Sequence, residues 1–182
     1  MITWREGIAR ACAALITCIG SATPAALGQQ VPFSQRGAVW QMLGQTEITI
    51  RYSRPTARGR RLYGGIVRWG RPWNPGADSA TTIAVSLPIR VQGQALPAGT
   101  YSVWAIPDSV APWTIVFSRA HPVFHTPYPG EEHDQLRLSA APVDGAHMET
   151  LAWYFPAVSG LSATLHLHWG TTVIPLQIEA GP

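Results

Sequence analysis

The chain has 182 residues, 46% of them hydrophobic, and a formal net charge of +3 whose basic side is 13 arginines and not one lysine. This size and apolar content suit a domain that buries a large core unaided. The missing lysine excludes Schiff-base chemistry, a phosphate-loop lysine and serine–lysine nucleophile pairs, and the small charge excess gives no nucleic-acid footprint.

Residues 1–28 have the pattern of a secretory signal peptide. Arg5 and Arg10 supply the positive region, Ala11 to Gly20 the short apolar run, and Ala26-Leu27-Gly28 a small-x-small cleavage pattern after Pro24. The run is too short to span a bilayer, which needs about 20 residues. Thr17 before Cys18 fits a lipoprotein site poorly. Cleavage near Gly28 leaves residues 29–182 as one secreted or periplasmic domain without a membrane span, its oligomeric state open. Cys12 and Cys18 would both be removed, so disulfides, cysteine nucleophiles and cysteine-bound metals drop out. The remaining net charge would be +2, from 13 − 2 arginines against 10 − 1 acidic residues.

Short strands follow in succession. Ala38 to Leu43 precedes Glu47 to Tyr52, where Ile48, Ile50 and Tyr52 share one face and Glu47, Thr49 and Arg51 the other. Thr81 to Leu87, Ile89 to Val91, a turn at Gln92-Gly93-Gln94, and Gly99 to Ile106 come next. Trp113 to Ser118, Gln135 to Ala140 and Met148 to Phe155 continue the alternation. Leu161 to Trp169 and Thr172 to Ile178 are expected to form a closing hairpin around Gly170-Thr171. Period-2 alternation with frequent turn signals predicts an all-β, antiparallel, jelly-roll-like sandwich of about 8–10 short strands. The 16 prolines and 17 glycines oppose long helices.

Between the strands, Tyr52 to Ile83 mixes arginine, glycine, proline and tryptophan without a regular period, which predicts a shaped loop on a β scaffold. Tyr52-Ser53-Arg54-Pro55, Gly59-Arg60, Gly64-Gly65, Trp73, Gly76-Ala77 and Ala80-Thr81-Thr82 resemble a bacterial family of unknown function, DUF2911. So do Leu96 to Pro107, Trp113-Thr114-Ile115 and the His168-Trp169 pair. The resemblance spans residues 35–180 and implies a secreted or periplasmic β-sandwich-like domain, with no activity attached. One departure is Asn74-Pro75 after Trp73, where the family commonly carries arginine; any ligand contact made by that arginine is missing here.

Three constellations carry candidate chemistry. Seven of the 13 arginines fall in the 21 positions from Arg51 to Arg71, with no acidic residue between Glu47 and Asp78. Guanidinium forks suit carboxylate, sulfate or phosphate and stack on rings. Arg54, Arg58, Arg60, Arg61, Trp69, Arg71, Trp73 and Asp78 are the candidate ligand-binding residues, and Trp69 and Trp73 the expected cleft tryptophans. His121, His125, Glu131, His133 and Asp134 form the second cluster, with His121, His125, His133 and Asp134 as possible metal ligands. It has no HExxH motif and is rich in proline, as a solvated loop would be. His166 and His168, two apart on a strand, share a face expected to be polar and turned to solvent.

No nucleophile elbow, phosphate loop or dinucleotide fingerprint is present. The reading the sequence favours is an extracytoplasmic, non-catalytic domain, without a required cofactor, that recognises an anionic or carbohydrate-like ligand or an envelope partner through residues 54–78. A metal-assisted hydrolase built on the 121–134 loop is the alternative, and a structural module of the cell envelope the third.

Overall fold

A computed structural model describes residues 31–181; the signal-like residues 1–28, with both cysteines, lie outside the described residues. The alternating segments become ten strands: β1 (Gln35–Leu43), β2 (Thr46–Arg54), β3 (Thr82–Val85), β4 (Ile89–Val91), β5 (Gln94–Leu96), β6 (Gly99–Ile106), β7 (Trp113–Ser118), β8 (Asp134–Ala140), β9 (Val143–Ser159) and β10 (Ser162–Ala180). They pair antiparallel in two sheets, one ordered β1-β2-β3-β6-β7-β8 and the other β5-β4-β10-β9. The protein is therefore an all-β sandwich. No helix among the described residues is long and apolar enough to cross a membrane.

Strand alternation decides what lies between the sheets. Ile48, Ile50 and Tyr52 of β2, Val103 and Ala105 of β6, and Ile115 and Phe117 of β7 turn inward from the larger sheet. Leu165, Leu167, Trp169, Leu176 and Ile178 of β10 and Leu151 and Trp153 of β9 meet them from the smaller one. The Tyr52 hydroxyl, buried among these apolar groups, accepts from the Trp153 amide at 3.1 Å and reaches its carbonyl at 3.4 Å. The two layers thus share a polar clasp as well as a core.

The last strands differ from the sequence expectation. Gly170-Thr171 is no hairpin turn; β10 runs through it as a single strand of 19 residues, and the chain reverses at Gly160 instead. Gly170, at φ +62°, sits where the register with β9 shifts on both sides. Glycine supplies a left-handed residue to a bulge as readily as to a turn, so the same sequence signal serves both. Opposite this bulge β9 has surplus residues, and they bind elsewhere. Leu151 N–H donates to the Pro55 carbonyl at 2.9 Å, and Ala57 N–H to the Glu149 carbonyl at 2.8 Å. The bulge thereby ties one sheet to the chain leaving the other.

The loop of residues 55–81 is stitched to β6. Trp73 and Ala105 exchange both backbone bonds at 2.8 Å, and the Trp73 ring stacks on Trp169 with centroids 6.1 Å apart. Asn74 is fully buried; its Nδ2 donates to the Val103 carbonyl at 2.7 Å and its Oδ1 accepts from the Thr81 amide at 3.0 Å. Directly after Trp73 the chain thus carries a structural amide. Gly76 permits the tight return, since a Cβ there would stand 2.4 Å from Thr81 Oγ1. Changing Asn74→Ala strands a buried amide and a buried carbonyl, so stability should fall by about 2–4 kcal/mol. Urea unfolding checks this: the midpoint should drop at an unchanged slope, and an unshifted midpoint would refute the role given to Asn74.

Candidate functional site

The outer face of the larger sheet is covered by loops rather than by a third layer. Trp104 of β6 points outward yet is only 1% exposed, packed with Ala80, Val116, Val123 and Tyr128. Its indole N–H donates to Ser102 Oγ at 2.9 Å, and that hydroxyl donates to the Ala120 carbonyl at 2.8 Å. Tyr128 meets the Trp104 ring edge-on at 5.3 Å, and its hydroxyl donates to Asp134 Oδ1 at 2.5 Å. Burial and the Asp134 carboxylate push the Tyr128 phenol well above its ordinary pKa. Arg137 closes the set by bonding Asp134 Oδ2 and Glu131 Oε1, both at 2.9 Å.

The 121–134 loop meets the end of the arginine-rich loop over this small core. Ala80 N–H donates to the Val123 carbonyl at 2.9 Å, and the Asp78 carbonyl accepts from the His125 amide at 2.9 Å and faces His125 Nδ1 at 2.8 Å. The rim of the joined loops faces β1 and β2 across a cleft of about 470 Å³. Arg36, Arg51, Ser53, Ser79, Thr82 and Val123 are among its walls, and no acidic residue or histidine lines it. Arg36 pairs with Ser53 and Ala38 with Arg51, so the two arginines are diagonal neighbours on one face, their Cα atoms roughly 7–8 Å apart. Both are exposed, and neither enters an ion pair among the described residues.

Most of the sequence candidates stand elsewhere. Arg54 faces the opposite side of β2 from Arg51, and its Nε donates to the Leu151 carbonyl at 3.2 Å. Arg60 bonds the carbonyls of Ala57 and Thr56 at 2.9 and 2.6 Å. The Arg58 guanidinium lies 4.1 Å over the Phe33 ring, while its backbone N–H donates to Glu149 Oε1 at 2.6 Å. That bond, with one from His147, holds the Glu149 carboxyl below its usual range. Arg54 and Arg58 do line a second hollow of about 410 Å³, where one donor of each serves a carbonyl. Arg61 and Arg71 are exposed and line neither. Trp69 stacks on Tyr63 at 6.1 Å, and Trp73 belongs to the core side of the loop. Asp78 contributes its carbonyl rather than its carboxylate.

The possible metal ligands are likewise dispersed. His121 is exposed, His125 faces the Asp78 carbonyl, His133 lies 3.8 Å from Glu132, and the Asp134 carboxylate is engaged by Tyr128 and Arg137. Among the described residues no group of three or more His, Cys, Asp or Glu side chains is disposed to hold a metal ion.

Residues 34–178 match the proteins of unknown function grouped as DUF2911. The chain belongs to that family. No curated protein and no solved structure matches it. For this DUF2911 protein the site residues that sequence reasoning missed are Arg36, Ser53, Ser79 and Thr82, with Arg51 counted in the arginine run but not chosen. Period-2 alternation on β2 already put Arg51 opposite the core; what it lacked was the β1 register that sets Arg36 beside it.

His166 and His168 also depart from expectation, because His168 is 5% exposed rather than turned to solvent. Its Nε2 faces the Ala146 carbonyl at 2.9 Å, so in the neutral ring Nε2 holds the proton and Nδ1 accepts from the Tyr154 hydroxyl at 3.0 Å. Tyr154 in turn accepts from His166 Nδ1 at 3.3 Å. Burial, then the neighbouring His168, lowers the His166 pKa from 6.5. Its neutral form is the one the fold favours. As pH falls, the unfolded chain takes up this proton first, so the contribution is intact above pH 6.5 and declines below it. Urea midpoints between about pH 7 and pH 5, a window set by the ordinary imidazole pKa, should therefore decrease, and His166→Gln should flatten the slope. An equal slope in that variant would contradict the assignment.

Proposed function

We propose that this domain is an exported, non-catalytic recognition module that binds an oxyanion-bearing ligand in the cleft between Arg36 and Arg51. The observation that carries the reading is a pair of arginines free of ion pairs among the described residues, diagonal neighbours in the strand register on a concave face lined by Ser53, Ser79 and Thr82 and by no acid. Planar forks of this kind fit carboxylate, sulfate or phosphate with two parallel bonds each. Export rests on the signal-like pattern of residues 1–28. The non-catalytic reading rests on a cleft wall with neither histidine nor carboxylate to move a proton. The rigid fold of the arginine-rich loop supports the site as a scaffold, holding Ser79 and Ala80 against the 121–134 loop.

Calorimetric titration of the purified protein with sulfate, phosphate and glucuronate at low ionic strength tests this. Arg36→Ala and Arg51→Ala should each raise Kd by about tenfold or more, the loss expected for a hydrogen bond to a charged group. The double variant should show no binding, and the wild-type affinity should fall with added salt. Undiminished affinity in the double variant would remove the site.

A further inference from the structure

The face that holds Arg36 and Arg51 continues along β1 to an unpartnered aromatic ring. Side chains two apart share a face of a strand, so Arg36, Ala38, Trp40 and Met42 form one outward row. Trp40 is 62% exposed on this edge strand. It enters none of the ring pairs among the described residues, whereas Trp69, the other exposed tryptophan, has Tyr63 stacked beside it. Ala38 is opposite Arg51, so Trp40 lies two positions, about 7 Å, along the strand from Arg51 and four positions, about 14 Å, from Arg36. The small side chain of Ala38 leaves the path between them open.

Charge along the neighbouring strand changes sign over the same distance. Outward positions of β2 read Ser53, Arg51, Thr49 and Glu47, with Met42 opposite Glu47. Thr49 Oγ1 donates to Glu47 Oε1 at 3.1 Å, which keeps that carboxylate on this face. A ligand on this row meets two cations, then a flat apolar ring, then an anion. Resting on the oxyanion reading of the cleft, we infer that the ligand is an acidic saccharide: the carboxylate or sulfate of one unit sits between Arg36 and Arg51, and the neutral neighbouring ring stacks on Trp40. Glu47 disfavours a second anionic unit there by like-charge repulsion. Sugar rings present C–H faces that suit an exposed indole, and an indole has little conformational freedom to lose on stacking.

The test uses the purified protein with five probes: inorganic sulfate, glucuronate, an unsulfated uronate–hexosamine disaccharide, its sulfated counterpart, and a neutral hexosamine disaccharide. The unsulfated acidic disaccharide should bind about tenfold tighter than glucuronate, its sulfated counterpart should bind more weakly than it because the second anion falls toward Glu47, and the neutral one should not bind measurably. Trp40→Ala should abolish that gain while leaving sulfate and glucuronate affinity unchanged, and Trp40→Phe should restore part of it. If the unsulfated acidic disaccharide binds no better than glucuronate, or Trp40→Ala is without effect, the saccharide inference fails while arginine-dependent sulfate binding keeps the oxyanion reading. A change in oligomeric state in Trp40→Ala at unaltered affinity would make Trp40 an interface residue and also overturn it. If no probe binds in an arginine-dependent way, both readings fall.

Discussion

The outward burial of Trp104 is the constraint on which the candidate cleft depends. A strand in the middle of a six-stranded sheet presents two faces, and only the inner one is covered by the second sheet. Trp104 therefore needs a roof. Sealing an indole from water is worth on the order of 4–6 kcal/mol, given 150–250 Å² of ring surface at about 25 cal/mol per Å². Residues 120–134 and 78–80 supply that roof, and their polar anchors are matched to it. The Trp104 N–H reaches the Ala120 carbonyl through Ser102, and Tyr128 caps the ring while bonding Asp134. Both long loops are consequently folded onto the sheet rather than projecting from it.

The cleft is the place where this roof stops. Its cover extends over β6 and β7 but leaves β1, the outer side of β2 and Thr82 of β3 open, so the loop rim and the strand surface meet at a concave line. Backbone on both sides is fixed by hydrogen bonding: β1 and β2 by nine paired positions, the rim by Ala80 on Val123 and His125 on Asp78. As the proposed recognition site, a cleft assembled this way would have little to order upon binding, which favours affinity for small ligands. Loss of the Tyr128–Asp134–Arg137 anchor would act on the cleft from a distance, through the position of the rim.

Legibility in the sequence followed the range of the interaction. Strands β2, β6 and β7 were plain because period-2 alternation is local to each segment. The family motifs pointed to the same sandwich. The hairpin expected at Gly170-Thr171 failed because a glycine with φ above zero marks a bulge and a turn alike, and only pairing with β9 decides between them. The arginine run was read by density, yet density said nothing of what each guanidinium touches. Arg54, Arg58 and Arg60 find carbonyls or a ring close at hand, whereas Arg51, one residue off the inward row of β2, faces the open side. Arg36 lay outside the run altogether, and its role depends on a strand pairing that no local pattern encodes. His168 was misjudged for a similar reason: the β9 segment that covers it is distant in sequence, with Ala146 meeting its Nε2.

The distribution of acidic groups sharpens what the Arg36–Arg51 pair is for. Glu131 and Asp134 are matched to Arg137, and Glu149 serves the Arg58 amide and His147. None of these carboxylates reaches the cleft wall. Like charges on neighbouring strand positions repel, and an oxyanion bound between Arg36 and Arg51, as proposed, would offset that repulsion. Stability alone would favour an uncharged pair at these positions, since an exposed β face tolerates threonine or glutamine equally well. Two forked cations on one face, with Glu131, Asp134 and Glu149 engaged elsewhere, fit the proposal that a ligand brings the counter-charge. Trp40 extends the same logic from charge to shape, because an exposed indole beside such a pair gains cover only when something flat is laid upon it.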